Sequence, residues 1–288
     1  MDLCNMQEIK ALLARHGFHF SKSMGQNFLI QSWVPQDIAD SAHITPTTGV
    51  LEVGPGIGPL TVQLAKRAGR VATVELDRSL LPVLTETLSD FPNVTVIPGD
   101  ILKLDLRALV QEQFGGLDPI VCANLPYNIT TPVITALIES HLFRTITVMI
   151  QREVAQRICA APGCSDYGAF SLYCQYHADC RLLFEVPPDC FLPAPKVTSA
   201  VLQMTPCAVP PVSVQNEALL FRTIKASFAL RRKTLLNGLS AGFPLLKEQL
   251  AQAIQTCGLP PNVRGEQLSL EQFARLSDQL GLLLHQSA

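Results

Sequence analysis

The chain has 288 residues, of which 48% are hydrophobic and 16% charged, and its formal net charge is −2. This composition excludes a disordered or fibrous protein and predicts one large folded domain with a smaller one. No apolar run approaches the roughly 18 to 20 residues that span a bilayer, and no signal-peptide block opens the chain, so we expect a cytoplasmic protein. The nine cysteines are scattered without metal-ligand spacing, so we expect reduced thiols and no bound metal.

From about residue 48, short β-branched runs alternate with amphipathic runs, which is typical of βαβ units and a parallel sheet. The predicted strands cover residues 49–53, 70–75, 94–98, 119–123, 145–150, 181–186 and 197–204. Helices are predicted at 59–68 and 79–89, and prolines stiffen the loop between the last two strands. The pattern therefore predicts an α/β fold with a mostly parallel sheet.

A glycine-rich turn follows the first predicted strand. Gly54, Gly56 and Gly58 leave the backbone amides and the helix N-terminus open to a ligand. In a dinucleotide fingerprint the third glycine stands one position later, where this chain has Pro59, which argues against a nicotinamide oxidoreductase. The spacing alone is also compatible with a purely structural tight turn.

Two acidic residues end the next strands. Glu75 ends the second strand, where a carboxylate can accept both hydroxyl groups of a ribose, and Asp100 follows the third, within reach of an adenine amino group. Either residue alone is compatible with a solvated strand end. Because the carboxyl ends of parallel strands meet at one edge, the turn and both acids together predict a site for S-adenosylmethionine.

The motif Asn124-Leu125-Pro126-Tyr127 follows the fourth strand. The Asn124 oxygen and the backbone carbonyl beside Pro126 can accept the hydrogens of an adenine amino group and aim its lone pair at a sulfonium methyl. Tyr127 can stack on the base once it has left its helical stack. Phe191, on the proline-rich loop, either covers the opposite face of the base or packs in the core. The motif predicts methyl transfer to adenine by positioning.

The charge is unevenly distributed along the chain. Residues 1–205 hold 14 basic and 19 acidic residues, whereas residues 206–288 hold 8 basic and 5 acidic ones. Six basic residues lie between positions 191 and 238: Lys196, Arg222, Lys225, Arg231, Arg232 and Lys233. This segment can attract phosphates or form an ordinary solvated face. After residue 206 the pattern becomes helical, which predicts a domain boundary there.

Five blocks, taken together, resemble a known family. They are Ser-Met-Gly-Gln-Asn-Phe-Leu at 23–29, the glycine turn at 52–58, Asn-Leu-Pro-Tyr-Asn-Ile at 124–129, the segment 191–199, and Arg-Arg-Lys-Thr-Leu at 231–235. In this order and spacing, the chain resembles the bacterial KsgA-like (RsmA) family of small-subunit rRNA adenine N6,N6-dimethyltransferases. The blocks extend over nearly the whole chain.

The resemblance implies a class I S-adenosylmethionine-dependent methyltransferase. Residues 1–206 would form a Rossmann-like domain with a mostly parallel seven-stranded sheet and an N-terminal cofactor-capping segment, and residues 207–288 a small helical RNA-binding domain. The implied reaction transfers four methyl groups to two adjacent adenines in a 3′-terminal hairpin of 16S rRNA. The enzyme would act as a monomer on the 30S subunit or its precursor and release S-adenosylhomocysteine.

The resemblance also assigns residues. Its implied cofactor contacts are Asn27, Leu29, Gly54, Glu75, Asp100 and Asn124, and we include Gly56 from the turn. Asn27 and Leu29 rest on the resemblance alone. The implied phosphate contacts are Lys196, Arg231, Arg232 and Lys233, although Leu236 stands where the family often has arginine, and Met24 where leucine is common. Two alternatives stay open: dimethylation of large-subunit rRNA, as in the erythromycin-resistance enzymes, and a ribosome-assembly binding factor.

Overall fold

The computed structural model describes residues 1–20, 25–230 and 232–286. The chain divides into two compact units, residues 1–155 with 181–206 and residues 156–180 with 207–288. The division at 206 coincides with the boundary expected from the sequence. Residues 156–180, which we expected in the first domain, group instead with the second unit.

The first unit is built on a seven-stranded sheet and a two-stranded one. Its strands are β1 (Phe28–Leu29), β2 (Thr48–Val53), β3 (Arg70–Glu75), β4 (Val94–Pro98), β5 (Asp118–Asn124), β6 (Ile146–Gln151), β7 (Ala178–Val186), β8 (Phe191–Leu192) and β9 (Ser199–Pro206). The first three residues of β7 fall within residues 156–180, on the other side of the division. The large sheet has the order β4-β3-β2-β5-β6-β9-β7. Strands β2 to β6 run parallel, and β9 is antiparallel to β6. This sheet confirms the predicted Rossmann-like α/β fold.

Helices follow most of these strands. They are α1 (Met6–Arg15), α2 (Trp33–Ser41), α3 (Pro59–Ala65), α4 (Leu81–Thr87), α5 (Leu106–Phe114), α6 (Thr130–Ser140) and α7 (Arg152–Ile158), the last of which crosses the division between the units. The predicted helix at 59–68 ends earlier, at Ala65, and the one at 79–89 begins as a 3₁₀ turn before α4. Pro82 is tolerated because the first turn of a helix has amides without intrahelical acceptors.

The parallel sheet is covered on both faces. Val50 and Leu51, successive residues of β2, are both fully buried, although successive side chains of a strand point to opposite faces. One core cluster includes residues of α2 and α3 such as Ile38 and Leu64, and another includes residues of α1 and α4 such as Leu12 and Leu84. Burial on both faces explains why the strands appear as continuous apolar runs.

The small sheet was not predicted. Strand β1 pairs antiparallel with β8, so that Phe28 lies opposite Leu192 and Leu29 opposite Phe191. Two-residue strands are too short to show an alternating pattern, which is why the sequence contained no sign of them. The pairing ties the segment after residue 25 to the start of the proline-rich loop.

The second unit is helical. Its helices are α8 (Ala169–His177), α9 (Glu217–Ala229), α10 (Leu235–Gly242), α11 (Lys247–Thr256) and α12 (Leu270–Gln286). Tyr167 and Leu172 are buried in the same core cluster as Leu220 and Phe273, and the Tyr167 hydroxyl donates to the Leu268 carbonyl at 2.9 Å. This shared core explains why residues 156–180 group with the second unit. In the described part of the chain, no helix is long and apolar enough to cross a membrane.

Candidate active site

A pocket opens at the edge of the large sheet where β2, β3, β4 and β5 end. Its lining comes from five segments of the first unit, within residues 25–29, 52–60, 74–80, 99–101 and 124–129. In an open α/β sheet, ligands bind at the carboxyl ends of the parallel strands. The pocket therefore brings together three of the sequence blocks and both strand-end acids.

The glycine turn forms one wall of the pocket. Gly54 and Gly56 have φ values of +70° and +61°, a backbone region that favours glycine. A Cβ atom added at Gly56 would lie 3.0 Å from the Phe28 ring, and one added at Gly54 would lie 3.5 Å from the ring carbons of Pro126. At Gly56 a side chain would therefore crowd the segment at 25–29, whereas at Gly54 the turn is in ordinary van der Waals contact with the Asn124 motif.

Glu75 ends β3 and lines the pocket while being only 6% exposed. Its Oε1 atom accepts a hydrogen bond from the Asp77 amide at 2.7 Å. Burial raises the pKa of Glu75 to about 7, and the nearby Asp77 charge adds to that rise, whereas backbone hydrogen bonds oppose it. A buried carboxylate held in this way can accept hydrogen bonds from the two hydroxyl groups of a ribose.

Glu52 is a second buried acid in the pocket, and the sequence interpretation gave it no separate role. It is 1% exposed, and its Oε2 atom accepts a hydrogen bond from the Thr61 hydroxyl at 2.6 Å. Burial raises the pKa of Glu52 to about 7, the Thr61 bond lowers it, and the charge of Glu75 raises it slightly further. The sequence feature that could have identified Glu52 is its position as the first residue of the glycine motif.

Asp100 lies just after β4 and lines the pocket. Its Oδ1 atom accepts from the Leu102 amide at 3.1 Å, and its Oδ2 atom is 3.6 Å from the Lys103 ammonium group. The Lys103 side chain is 83% exposed, so this ion pair contributes little. The local turn, rather than the lysine, holds the carboxylate at the pocket edge.

Residues 25–29 extend across the pocket. The Gln26 side chain donates to Asp77 Oδ2 at 2.6 Å, and the Asn27 side-chain Nδ2 atom donates to the Gly25 carbonyl at 3.1 Å. A Cβ atom added at Gly25 would lie 3.3 Å from Asn128 Oδ1. The segment therefore bridges the Glu75 side and the Asn124 side of the pocket. Residues 23–24 of the same sequence block lie outside the described residues.

The Asn124 motif forms the opposite wall. The Asn124 side chain lines the pocket and hydrogen-bonds to no other described residue, which leaves its amide available to a ligand. The Pro126 carbonyl accepts from the Ile129 amide at 3.2 Å and from the Thr130 hydroxyl at 3.3 Å. With both lone pairs engaged, it is not free to accept from a substrate amine. The preceding carbonyl, that of Leu125, is the available acceptor beside Pro126.

Tyr127 also lines the pocket, next to Asn124. Its hydroxyl lies 2.6 Å from the Ser199 hydroxyl, and Ser199 is fully buried. Burial raises the pKa of Tyr127, so the phenol is neutral at physiological pH. The ring is thus anchored at its far end.

Phe191 is placed differently from the predicted stacking role. It is 2% exposed, does not line the pocket, and lies in the core cluster with Val186, Cys190 and Val201. Its partner in β1, Leu29, is also buried but does line the pocket. The second of the two alternatives for Phe191, core packing, is therefore correct for this structure, because the β1–β8 pairing directs the residue into the apolar interior.

The predicted phosphate contacts fall in both units. Lys196 is exposed in the first unit, and Arg232 and Lys233 are exposed in the second. Arg231 lies outside the described residues. Arg222, in the same charged segment, lies over the Phe243 ring at 4.5 Å and donates to the Gly242 carbonyl, so it has a structural role in its own unit.

Comparison with known proteins agrees with this geometry. A model of the ribosomal RNA adenine dimethylase family matches residues 17–281. A protein of Lachnoclostridium phytofermentans named ribosomal RNA small subunit methyltransferase A is 50% identical over 271 residues, 93% of each chain. A protein of the same name from Geobacillus thermodenitrificans is 45% identical over 284 residues, 97% of each chain.

Two solved structures are also similar. The 23S rRNA methyltransferase ErmE is 26% identical with a TM-score of 0.68, and the match covers 88% of this chain and all of that one. A dimethyladenosine transferase from Plasmodium falciparum shares the fold with a TM-score of 0.72 at 24% identity, over 86% of this chain and 95% of that one. The match to the family model extends over nearly the whole chain, and the chain therefore belongs to the ribosomal RNA adenine dimethylase family.

Proposed function

We propose that this protein uses S-adenosylmethionine to dimethylate the N6 amino groups of two adjacent adenines in a 3′-terminal hairpin of 16S rRNA. Its substrate is the small ribosomal subunit or a precursor in the cytoplasm, and it acts as a monomer. The observation that carries the proposal is that Glu75 and the Asn124 motif line one pocket in a member of this family. The names of the two curated relatives support the small subunit as substrate.

The pocket residues fit S-adenosylmethionine. Glu75 is a buried acceptor for the ribose hydroxyl groups, Gly54 and Gly56 give a ligand access to the backbone, and Asp100 stands at the edge for the adenine amino group. Asn27 and Leu29 cover the site from the N-terminal segment. When bound, the cofactor supplies a methyl group on a positively charged sulfur.

The Asn124 motif fits the target base. We assign the hydrogens of the adenine amino group to the Asn124 side-chain oxygen and the Leu125 carbonyl. These two acceptors draw the amine out of conjugation with the ring and orient its lone pair toward the methyl group. Activation of the amine therefore comes from its orientation rather than from a general base. Tyr127 stacks on the base and offsets part of the cost of removing it from its helix. Pro126 shapes the turn that presents these groups.

The charged segment, between positions 191 and 238, fits the rRNA backbone. We assign phosphate contacts to Lys196, Arg231, Arg232 and Lys233, and RNA binding to the helical unit as a whole. Phosphate contacts position a protein on RNA and make its binding depend on salt concentration, whereas the pocket selects the base.

The test is a methylation assay on particles that lack the modification. Small subunits from cells without the native enzyme are incubated with the protein and labelled S-adenosylmethionine, and the rRNA is digested for nucleoside analysis. We expect N6,N6-dimethyladenine at two adjacent positions in 16S rRNA. Labelled small subunits without this nucleoside, or no labelling at all, would refute the proposal.

A second candidate, dimethylation of 23S rRNA, is favoured by the similarity to the ErmE structure. Incubating large subunits in parallel separates the two candidates because each places the modified base in a different rRNA. Label confined to 23S rRNA would favour this second candidate, whereas we expect it in 16S rRNA alone.

A further inference from the structure

The hydroxyl groups of Tyr127 and Ser199 are 2.6 Å apart although the residues are 72 positions apart in the chain. Ser199 is the first residue of β9 and pairs with Gln151, the last residue of β6. Because β9 runs antiparallel to β6, its first residue lies at the same sheet edge at which β5 ends and the Asn124 motif begins. The sheet itself therefore brings Ser199 to the pocket wall.

The position of Ser199 is set by the sheet. The residue is fully buried, and the adjacent Arg152 amide donates to the Thr198 carbonyl at 2.9 Å, which closes the end of the β6–β9 ladder. Among the described residues, Tyr127 is the one hydrogen-bond partner of the Ser199 hydroxyl. Buried hydroxyl groups strongly favour a partner, so loss of this bond would leave the Ser199 hydroxyl without a partner among the described residues.

The bond restricts the Tyr127 ring. The hydroxyl oxygen of tyrosine lies on the axis about which the ring turns, so holding this oxygen fixes the direction of the ring axis, which the first side-chain torsion sets. Tyr127 lies three residues after Asn124 in the same pocket wall, so the direction of its ring axis sets where a stacked base meets the Asn124 amide. A small swing of this axis would displace the amine from its acceptors, and such displacements slow reactions strongly.

We propose that Ser199 is a positioning residue for methyl transfer, acting through its hydrogen bond to Tyr127. This inference rests on the proposed adenine dimethylation, because the ring it orients is the one assigned to the target base. Ser199 itself does not line the pocket, so its effect passes through the Tyr127 ring. Its effect is confined to the step in which the base is held, and cofactor binding is independent of it.

The test is a double-mutant cycle with Ser199→Ala and Tyr127→Phe, each of which removes the bond while keeping the aromatic ring. We expect each single variant to lower kcat about tenfold, the scale of one lost hydrogen bond, with the dissociation constant for S-adenosylhomocysteine unchanged. The double variant should lose about the same tenfold rather than a hundredfold, because both changes remove one interaction. Product formation on undermethylated small subunits and calorimetric titration supply the two readouts.

The matched control is Thr147→Val, which removes another buried hydroxyl from the same strand pair. Thr147 faces Gln203, and it lies four residues before Gln151, roughly 13 Å along the strand from the pocket edge. Gln203 keeps its bond to the Ser41 carbonyl at 2.9 Å. We expect this variant to methylate at the wild-type rate.

The outcomes separate this inference from the proposed function. If the wild-type protein does not methylate adenine, the proposed function fails and the inference with it. If the wild type is active and Ser199→Ala is equally active, or if the two losses add to about a hundredfold, the positioning role alone is overturned. If Ser199→Ala does not fold, the kcat of Tyr127→Phe compared with that of Thr147→Val decides the question. Tyr127→Phe is suited to this comparison because it changes no residue of a strand.

Discussion

The two halves of the pocket differ in electrostatics. The half that we propose for the cofactor (the cofactor half, residues 52–60, 74–80 and 99–101) contains two buried carboxyl groups, Glu52 and Glu75, whose pKa values burial raises to about 7. The half that we propose for the target base (the base half, residues 124–129) contains no acidic residue, lysine, arginine or histidine. Under the proposed function, the first half would bind its ligand through ionisable acceptors, and the second would orient neutral groups.

The largest expected effect comes from Asn124→Ala in the base half. Removing one of two preorganised acceptors should lower the rate of methyl transfer about 100- to 1000-fold. Affinity for S-adenosylhomocysteine, measured by calorimetry, should change less than about threefold, the scale of a weak contact. Loss of affinity equal to the loss of rate would show that the two halves are not separate and that Asn124 mainly holds the cofactor.

Glu52→Gln tests the electrostatics of the cofactor half through stability. Below pH 4.5 the Glu52 carboxyl is protonated in both folded and unfolded chains, and as pH rises to about 7 the unfolded chain ionises first, so the folded state loses stability. Glutamine avoids that loss. We expect the variant to gain up to roughly 3 kcal/mol over wild type above pH 7, with the gain disappearing toward pH 4.5.

Urea unfolding at pH 5 and pH 8 measures this difference. The control is Glu86→Gln, which removes a partly exposed carboxylate whose hydrogen bonds with His16 and Arg15 hold its pKa below the usual value. The ionised Glu86 carboxylate stabilises the folded chain above the ordinary pKa of glutamate, and this stabilisation is lost as pH falls. Glu86→Gln should therefore be less stable than wild type at pH 8. A Glu52→Gln protein that is less stable than wild type at pH 8 would contradict the assigned pKa.

Glu75→Gln tests ligand binding in the same half. In the proposed function the ionised carboxylate accepts both ribose hydroxyl groups, whereas glutamine offers one oxygen without charge, so the cofactor dissociation constant should rise about tenfold or more at pH 8. Because burial raises the pKa of Glu75 to about 7, wild-type affinity should increase from pH 6 to pH 8, and the variant should lack this increase.

The readout that separates Glu75 from Asn124 is the rate at saturating cofactor. We expect kcat of Glu75→Gln to stay near wild type, the reverse of the pattern for Asn124→Ala. Asp90→Asn, which removes an exposed acidic charge, controls for net charge and should leave both quantities unchanged. A pH-independent wild-type affinity would show that Glu75 does not titrate in this range.

The smallest expected effect lies outside both halves. Lys233→Ala should weaken binding to small subunits moderately and reduce the slope of log affinity against log salt by about 1, as expected for one lost phosphate contact. Lys247→Ala, an exposed lysine of the same unit beyond the charged segment, is the matched control. Equal slopes for the two variants would identify the charged segment as a solvated face.

Much of the pocket could be predicted because its residues stand at strand ends. Gly54, Glu75, Asp100 and Asn124 follow four apolar runs, and parallel strands necessarily bring their carboxyl ends to one edge. Asn27 and Leu29 showed no such pattern, and the family resemblance alone pointed to them. Their place in the pocket depends on a two-residue strand that has no sequence signature.

The sequence by itself determined the α/β fold, the edge at which the pocket forms and the chemical types of its main groups, because periodicity and strand-end positions are local properties. The tertiary structure decided which side chains are buried and which distant residues meet. It placed Phe191 in the core through the β1–β8 pairing, joined residues 156–180 to the helical unit, and brought Ser199 to Tyr127 through an antiparallel strand. Burial and long-range pairing depend on the whole chain, so no segment contains them.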